Sequence, residues 1–201
     1  DGDIKNNATY NTEGSLEFDG VDDYVEVSNI FKSTPTELTI GVTVKPTDVS
    51  SGVDGTFITQ NPMDGITSSS FAIGIGWFIT TPYIYAGVGF GNGVNYLSTI
   101  LNATPLVNRY INVICSWDGS DVRSYYNGVL KKTYSFSETL VSNLNPIKIG
   151  SSKFTNMTSP FEGNIGEYFV NDESGYTEQE VLHSYHKAPI HTGGLVLAVD
   201  A

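Results

Sequence analysis

Apolar and polar residues alternate with a period of two along most of this chain. Leu38, Ile40, Val42 and Val44 are spaced by Thr39, Gly41 and Thr43, which predicts a strand over 38–45 with four aliphatic side chains on one face, stopped by Pro46. The stretch SLEFDGVDDYVEV (15–27) carries the same period in two halves, Leu16 and Phe18 before Gly20, Val25 and Val27 after it. Phe71, Ile73, Ile75, Trp77 and Ile79 share a face opposite Ala72, Gly74 and Gly76. Over 83–90, Ile84, Ala86, Val88 and Phe90 face in, and Tyr83, Tyr85, Gly87 and Gly89 face out. Further strands are predicted at 56–60, 94–99, 110–117, 147–151 and 165–170. Asn127-Gly128 joins Val122–Tyr126 to Val129–Tyr134 as a tight hairpin, and Gly91-Asn92-Gly93 is a turn. Thr177 and Glu180 form a T-x-x-E capping box that opens a short helix to about Tyr185. Leu195–Val199 reads as a strand buried on both faces.

About a dozen short strands with one brief helix predict an all-β fold, an antiparallel two-sheet sandwich in one domain over residues 1–201. No alternation of strands with helices argues for a parallel sheet, and no internal repeat is evident.

Composition sharpens this picture at a few points. Hydrophobic residues make up 39% and charged residues 16%, the balance of a folded globular chain. The net charge of −12 argues against binding nucleic acid, which needs clustered Lys and Arg, and against anionic membrane surfaces. No apolar run reaches the roughly 18 residues of a spanning helix. Cys115 is the single cysteine, so no internal disulfide forms; it shares a face with Ile111, Val113 and Trp117 and is expected to be a buried, inert thiol that leaves the redox compartment open. No signal peptide is evident and the first residue is Asp1, as expected of a processed or excised product or of an arbitrarily chosen boundary. The sequons at Asn7, Asn102 and Asn156 matter only in a eukaryotic secretory setting.

The corner FDG-x-D-D-Y-V at 18–25 resembles the first strand pair of LamG-type, concanavalin A-like jelly-roll modules. The likeness continues in family order through NVICSWDG (112–119), SYYNGVL (124–130), IKIG (147–150), FEGNIGEYFV (161–170) and TEQEVLHSY (177–185), most of residues 14–186. It implies a concanavalin A-like sandwich. The functions it implies range over glycan binding, adhesion, pentraxin-like proteins, accessory parts of enzymes and structural proteins of tailed phages. The terminal GLVLAVDA (194–201) is similar to the opening strand of related modules, and either closes a sheet or begins a further copy.

Chemistry is sparse. Glucanases of similar fold use carboxylates spaced Glu-x-Asp-x-(x)-Glu on one strand. No such run is expected here, and Glu167, Asp172 and Glu173 straddle a strand end with the wrong spacing. A G-x-S-x-G elbow is missing, and Cys115 has no nearby base. His183 and His186, three apart on the helix, lack a third ligand and read as solvated. Glu167 shares parity with Phe161, Ile165 and Phe169, so it needs hydrogen bonds, a cation, or a bulge that turns it outward. The resemblance places this segment beside the FDG corner and implies calcium held by acids and carbonyls. One structural Ca²⁺ on Asp19, Asp22 or Asp23 with Glu167 is therefore expected, against turn-capping aspartates as the alternative. Tyr83 and Tyr85, among the outward glycines, offer rings for sugars, with Asn92, Asn95 and Tyr96 as polar contacts; the alternative is tyrosines packed under a loop. The resulting expectation is a non-enzymatic recognition module on a cell or virion surface, extracellular, partnered by glycans or neighbouring surface proteins, and open to homo-oligomerisation. A purely structural decoration protein is the runner-up and a glycoside hydrolase the last choice.

Overall fold

The computed structural model describes residues 2–12, 14–31, 33–49, 55–60, 71–78, 81–90, 94–95, 98–102, 106–137, 139–140, 145–151, 153–154, 157–158, 160–185 and 195–199. Strands are numbered along the chain. The first sheet runs in the order β1 (Asp3–Lys5), β4 (Tyr24–Val27), β14 (Ile147–Ile149), β6 (Gly55–Gln60), β7 (Phe71–Phe78), β8 (Thr81–Phe90) and β10 (Ser98–Asn102), with β9 (Val94–Asn95) also on β8. The second runs β13 (Val129–Ser135), β12 (Asp121–Tyr126), β11 (Ile111–Trp117), β5 (Leu38–Pro46), β17 (Glu162–Asn171), β3 (Leu16–Asp19) and β2 (Thr9–Tyr10). β18 (Leu195–Val199) pairs with β17 from Tyr168 to Asn171, beyond the stretch that β3 occupies. The terminal strand thus extends the second sheet; the expected burial of its side chains lies outside the described residues. β15 (Lys153–Phe154) and β16 (Met157–Thr158) form a separate small hairpin.

The two sheets close over one apolar interior, as the alternation requires. Leu38, Ile40, Val42 and Val44 of β5, Phe71, Ile73 and Ile75 of β7, and Ile84, Ala86 and Val88 of β8 are all buried in one cluster. Each large aliphatic there contributes about 1.5–3 kcal/mol relative to an exposed position. Phe161 packs edge-on against Phe57 at 4.9 Å and tilted against Phe18 at 6.2 Å, joining the two sheets near the FDG corner. The side chain of Trp77 and all of Ile79 lie outside the described residues. Cys115 is fully buried; burial pushes its thiol up to about 12, with a hydrogen bond to Ser124 opposing. The hairpin turn uses left-handed Asn127 (φ 48°) and Gly128 (φ 75°), the geometry of a type I′ turn.

One face predicted as polar is covered. Helix α1 (Glu178–Tyr185) lies on the outside of the second sheet, where Val181 and Tyr176 bury Ile114 and Tyr125. The loop before it is stitched down: Tyr176 N–H donates to Thr39 Oγ1 at 2.9 Å, and Ser116 Oγ donates to the Tyr176 carbonyl at 3.0 Å. Thr39, on the outward side of its strand, is for this reason completely buried. The capping box forms, with Thr177 N–H donating to Glu180 Oε2 at 2.8 Å and Glu180 N–H to Thr177 Oγ1 at 3.4 Å.

The parity expected for 161–169 is corrected by a bulge. Ile165 pairs with Val44 but Tyr168 pairs with Val42, so β17 spends extra residues between them. Beyond it Tyr168 and Val170 face the interior, while Phe169 turns out and stacks on Tyr176 at 5.8 Å. The Phe169 ring lies directly over Gly41, where any Cβ would collide with it. Gly41→Ala is therefore expected to cost about 1–3 kcal/mol by overpacking, read as a lowered denaturation midpoint with unchanged m-value; a midpoint equal to wild type refutes the contact.

Candidate functional site

Tyr83 and Tyr85 stand on the outward face of the first sheet, both half-buried, with ring centroids 6.4 Å apart and planes at 60°. Register places them opposite Gly76 and Gly74. The Tyr85 ring crosses Gly74, where a Cβ would meet its hydroxyl end, and the hydroxyl lies 3.4 Å from Thr56 Oγ1. Gly74 is thus required for a close approach, and the tyrosine pair is held in place. On the same face Lys148 Nζ sits 5.2 Å over the Tyr24 ring. The backbone of β10 brings Thr99 and Asn102 opposite Tyr85 and Tyr83. Asn95 belongs to β9, but its side chain, like Asn92 and Tyr96 entirely, lies outside the described residues. So do His186 and the side chain of His183.

The FDG corner brings Asp19, Asp22 and Asp23 together, with carboxylate oxygens within 4.8 Å of one another. Asp23 is only 3% exposed and accepts two backbone donors, Asn7 N–H at 2.8 Å and Asp19 N–H at 3.1 Å. Asp19 Oδ1 accepts Val21 N–H at 2.8 Å, closing an Asx turn over Gly20. Asn6 Nδ2 donates to the Asp22 carbonyl at 2.5 Å. The turn-capping role is thus fully realised. Glu167 does not join the three. It lies past Ile165, whereas the residue opposite Asp19 is Glu162, five positions earlier or about 16 Å along an extended strand. The bulge after Ile165 leaves Glu167 half-buried instead of in the interior. Parity alone could have singled out Glu162, because it alternates with the inward Phe161.

Glu162 also opens onto a cleft of about 430 Å³ on the outside of the second sheet, bordered by Thr9, Glu17, Asp19, Thr47 and Asn164. Thr47 Oγ1 donates to Glu162 Oε1 at 3.4 Å. Glu17 and Asp19, two apart on β3, line it together with Asp23 and Glu162, but the Glu-x-Asp-x-(x)-Glu run of the glucanases is not completed, because Val21 and Asp22 stand where its last Glu would. Glu17 and Asp19 are both solvent-exposed. A glycosidase separates the roles of its two carboxyls by placing one in an apolar pocket. These two acids share one polar, open setting, which provides no such difference.

Sheet order, corner and helix define a lectin-like sandwich, and the sequence agrees: the chain belongs to the concanavalin A-like lectin/glucanases superfamily, whose laminin G-type model matches residues 19–180. Among solved structures it is similar to domain 4 of the extracellular arabinanase AbnA from Geobacillus stearothermophilus, in complex with arabinotriose. That match has 17% identity and TM-score 0.62, over 90% of this chain and 81% of that one. It is similar to the binding domain of botulinum neurotoxin DC in complex with SialylT, at 13% identity and TM-score 0.69, over 93% of this chain and 46% of that one. It is also similar to tailspike protein 2 of the Escherichia coli O157:H7 bacteriophage CAB120, at 11% identity and TM-score 0.65, over 92% and 26%. This chain therefore spans under half of the toxin domain and about a quarter of the tailspike. At these identities the likeness is one of fold. No curated protein sequence matches the chain.

Asp23→Ala would leave the N–H groups of Asn7 and Asp19 without their acceptor. The expected cost is about 2–3 kcal/mol, measured by chemical denaturation, with Asp22→Ala nearly neutral; equal effects at the two positions would refute this account of the corner.

Proposed function

We propose that this chain is a non-catalytic glycan-recognition module displayed on a cell or particle surface. The observation that carries the reading is the Tyr83–Tyr85 pair on an outward sheet face, with the Tyr85 ring lying over Gly74. Sugar rings stack their CH faces on such aromatics, and a pre-positioned ring loses little conformational freedom on binding. Support comes from the superfamily and from the sugar-bound neighbours, the arabinanase domain with arabinotriose and the toxin domain with SialylT. The likeness to a phage tailspike supports a virion surface as one place of display.

A structural calcium ion at the FDG corner belongs to the same proposal. Three carboxylates within 4.8 Å suit a hard cation that prefers several charged oxygens. Asp19 and Asp22 are exposed and Asp23 keeps its backbone bonds, so the ion would lock a corner that already folds without it.

Two measurements test these readings. On a glycan array followed by titration, Tyr83→Ala should weaken the best ligand about tenfold, near ~1.4 kcal/mol, at unchanged Tm; silence of the wild type across the array overturns the sugar reading. Calcium at a hundredfold over its Kd should stabilise the fold by about 2.7 kcal/mol, reversed by EDTA at fixed ionic strength. A Tm indifferent to both removes the metal.

A further inference from the structure

We propose that the cleft on the outside of the second sheet is a separate sugar site, one that takes uncharged glycans and rejects acidic ones. It is built from side chains other than the tyrosine pair and stands or falls independently of it.

Asn164 is the observation that points to a ligand. It is 7% exposed, lines the cleft, and its side-chain amide makes no hydrogen bond among the described residues. Buried polar groups in native proteins are nearly always paired, and one left open towards a cleft is an available donor and acceptor. Register fixes its surroundings: Asn164 lies between Glu17 on β3 and Lys45 on β5, and Thr9 lies beyond Glu17. The other polar side chains on the walls are the carboxylates of Glu17, Asp19, Asp23 and Glu162, the hydroxyls of Thr9 and Thr47 and the amide of Asn7, and no Lys, Arg or His is among them.

Carboxylates only accept hydrogen bonds, so four acids beside two hydroxyls and two amides make the walls richer in acceptors than in donors. A sugar presents the reverse, a row of hydroxyl donors, and the free amide of Asn164 can return a bond to a ring or hydroxyl oxygen. The volume of about 430 Å³ falls within the range of small-ligand sites. With the FDG corner stripped of calcium, a sialic acid, uronate, sulfate or phosphate would add a negative charge among four acids with no Lys, Arg or His on the walls to offset it. The nearest cation, Lys45, is drawn aside over the Tyr110 ring at 5.4 Å.

The test uses the full chain in EDTA, titrated with neutral oligosaccharides selected on a glycan array and with sialylated or uronate-bearing counterparts. Neutral ligands should bind, and the acidic counterparts at least tenfold more weakly. Asn164→Ala and Glu162→Gln should each weaken neutral binding at least fivefold while Tyr83→Ala leaves it unchanged. Glu162→Gln should also narrow the penalty against acidic ligands, a readout that misfolding cannot mimic, and Glu17→Gln at an exposed position repeats it. The proposal is overturned if no neutral glycan binds in EDTA, if acidic glycans bind as well as neutral ones, or if binding survives Asn164→Ala and Glu162→Gln but is lost in Tyr83→Ala.

Discussion

A strand with a two-residue period cannot change which side chains face the core unless its ladder gives up a residue, and β17 is where this chain does so. It is paired to β5 along nearly its whole length, to β3 at its start and to β18 at its end. Before the bulge, Phe161 and Ile165 face the interior and Glu162 and Asn164 face out; after it, Tyr168 and Val170 face in. The cleft depends on the first half and the seat of the helix on the second. An unbroken alternation would have sent Glu167 and Phe169 inward, burying a carboxylate at a cost of several kcal/mol and depriving α1 of the ring that stacks on Tyr176.

The same outer surface is therefore divided. Towards one end, Thr39, Ser116 and the loop into α1 exchange hydrogen bonds, and an apolar patch around Tyr125 is covered. Towards the other, the Asx turn and Asp23 tie the N-terminal strands to the FDG corner and leave a cleft with Glu17 and Asp19 exposed, Glu162 half-buried and Asn164 buried against it. Internal hydrogen bonds at the first end consume the polar groups; at the second they are spent on backbone N–H groups, so several side chains remain available.

Strand positions, the I′ hairpin, the capping box and the buried Cys115 were legible because each follows from a local rule: alternation, left-handed turn residues, or an N-terminal cap. The resemblance of the FDG corner to LamG-type modules held as well. What was not legible is long-range. Thr39 looks solvent-facing in its strand and is buried only because residues 174–176 return to cover it. Glu167 was paired with the wrong corner because a bulge is invisible to a strict parity count. Glu162 and Asn164 had the right parity, but only the β3–β17 register shows which loop they meet. Gly74 was read as part of an open strip, with close approach as the alternative, and the Tyr85 ring lying across it is that close approach.

Recognition and hydrolysis place different demands on carboxylates, and the role proposed for the outer cleft is the first. A catalytic pair needs one acid kept protonated by apolar surroundings while its neighbour stays ionised. Glu17 and Asp19 are both open to water, and the polar walls beside them are two hydroxyls, two amides and two further acids. Acceptors clustered around an unpaired amide can orient a polyol without activating it. The charge of −12 spread over a 201-residue chain acts in the same direction, favouring uncharged partners over anionic ones before any contact is made.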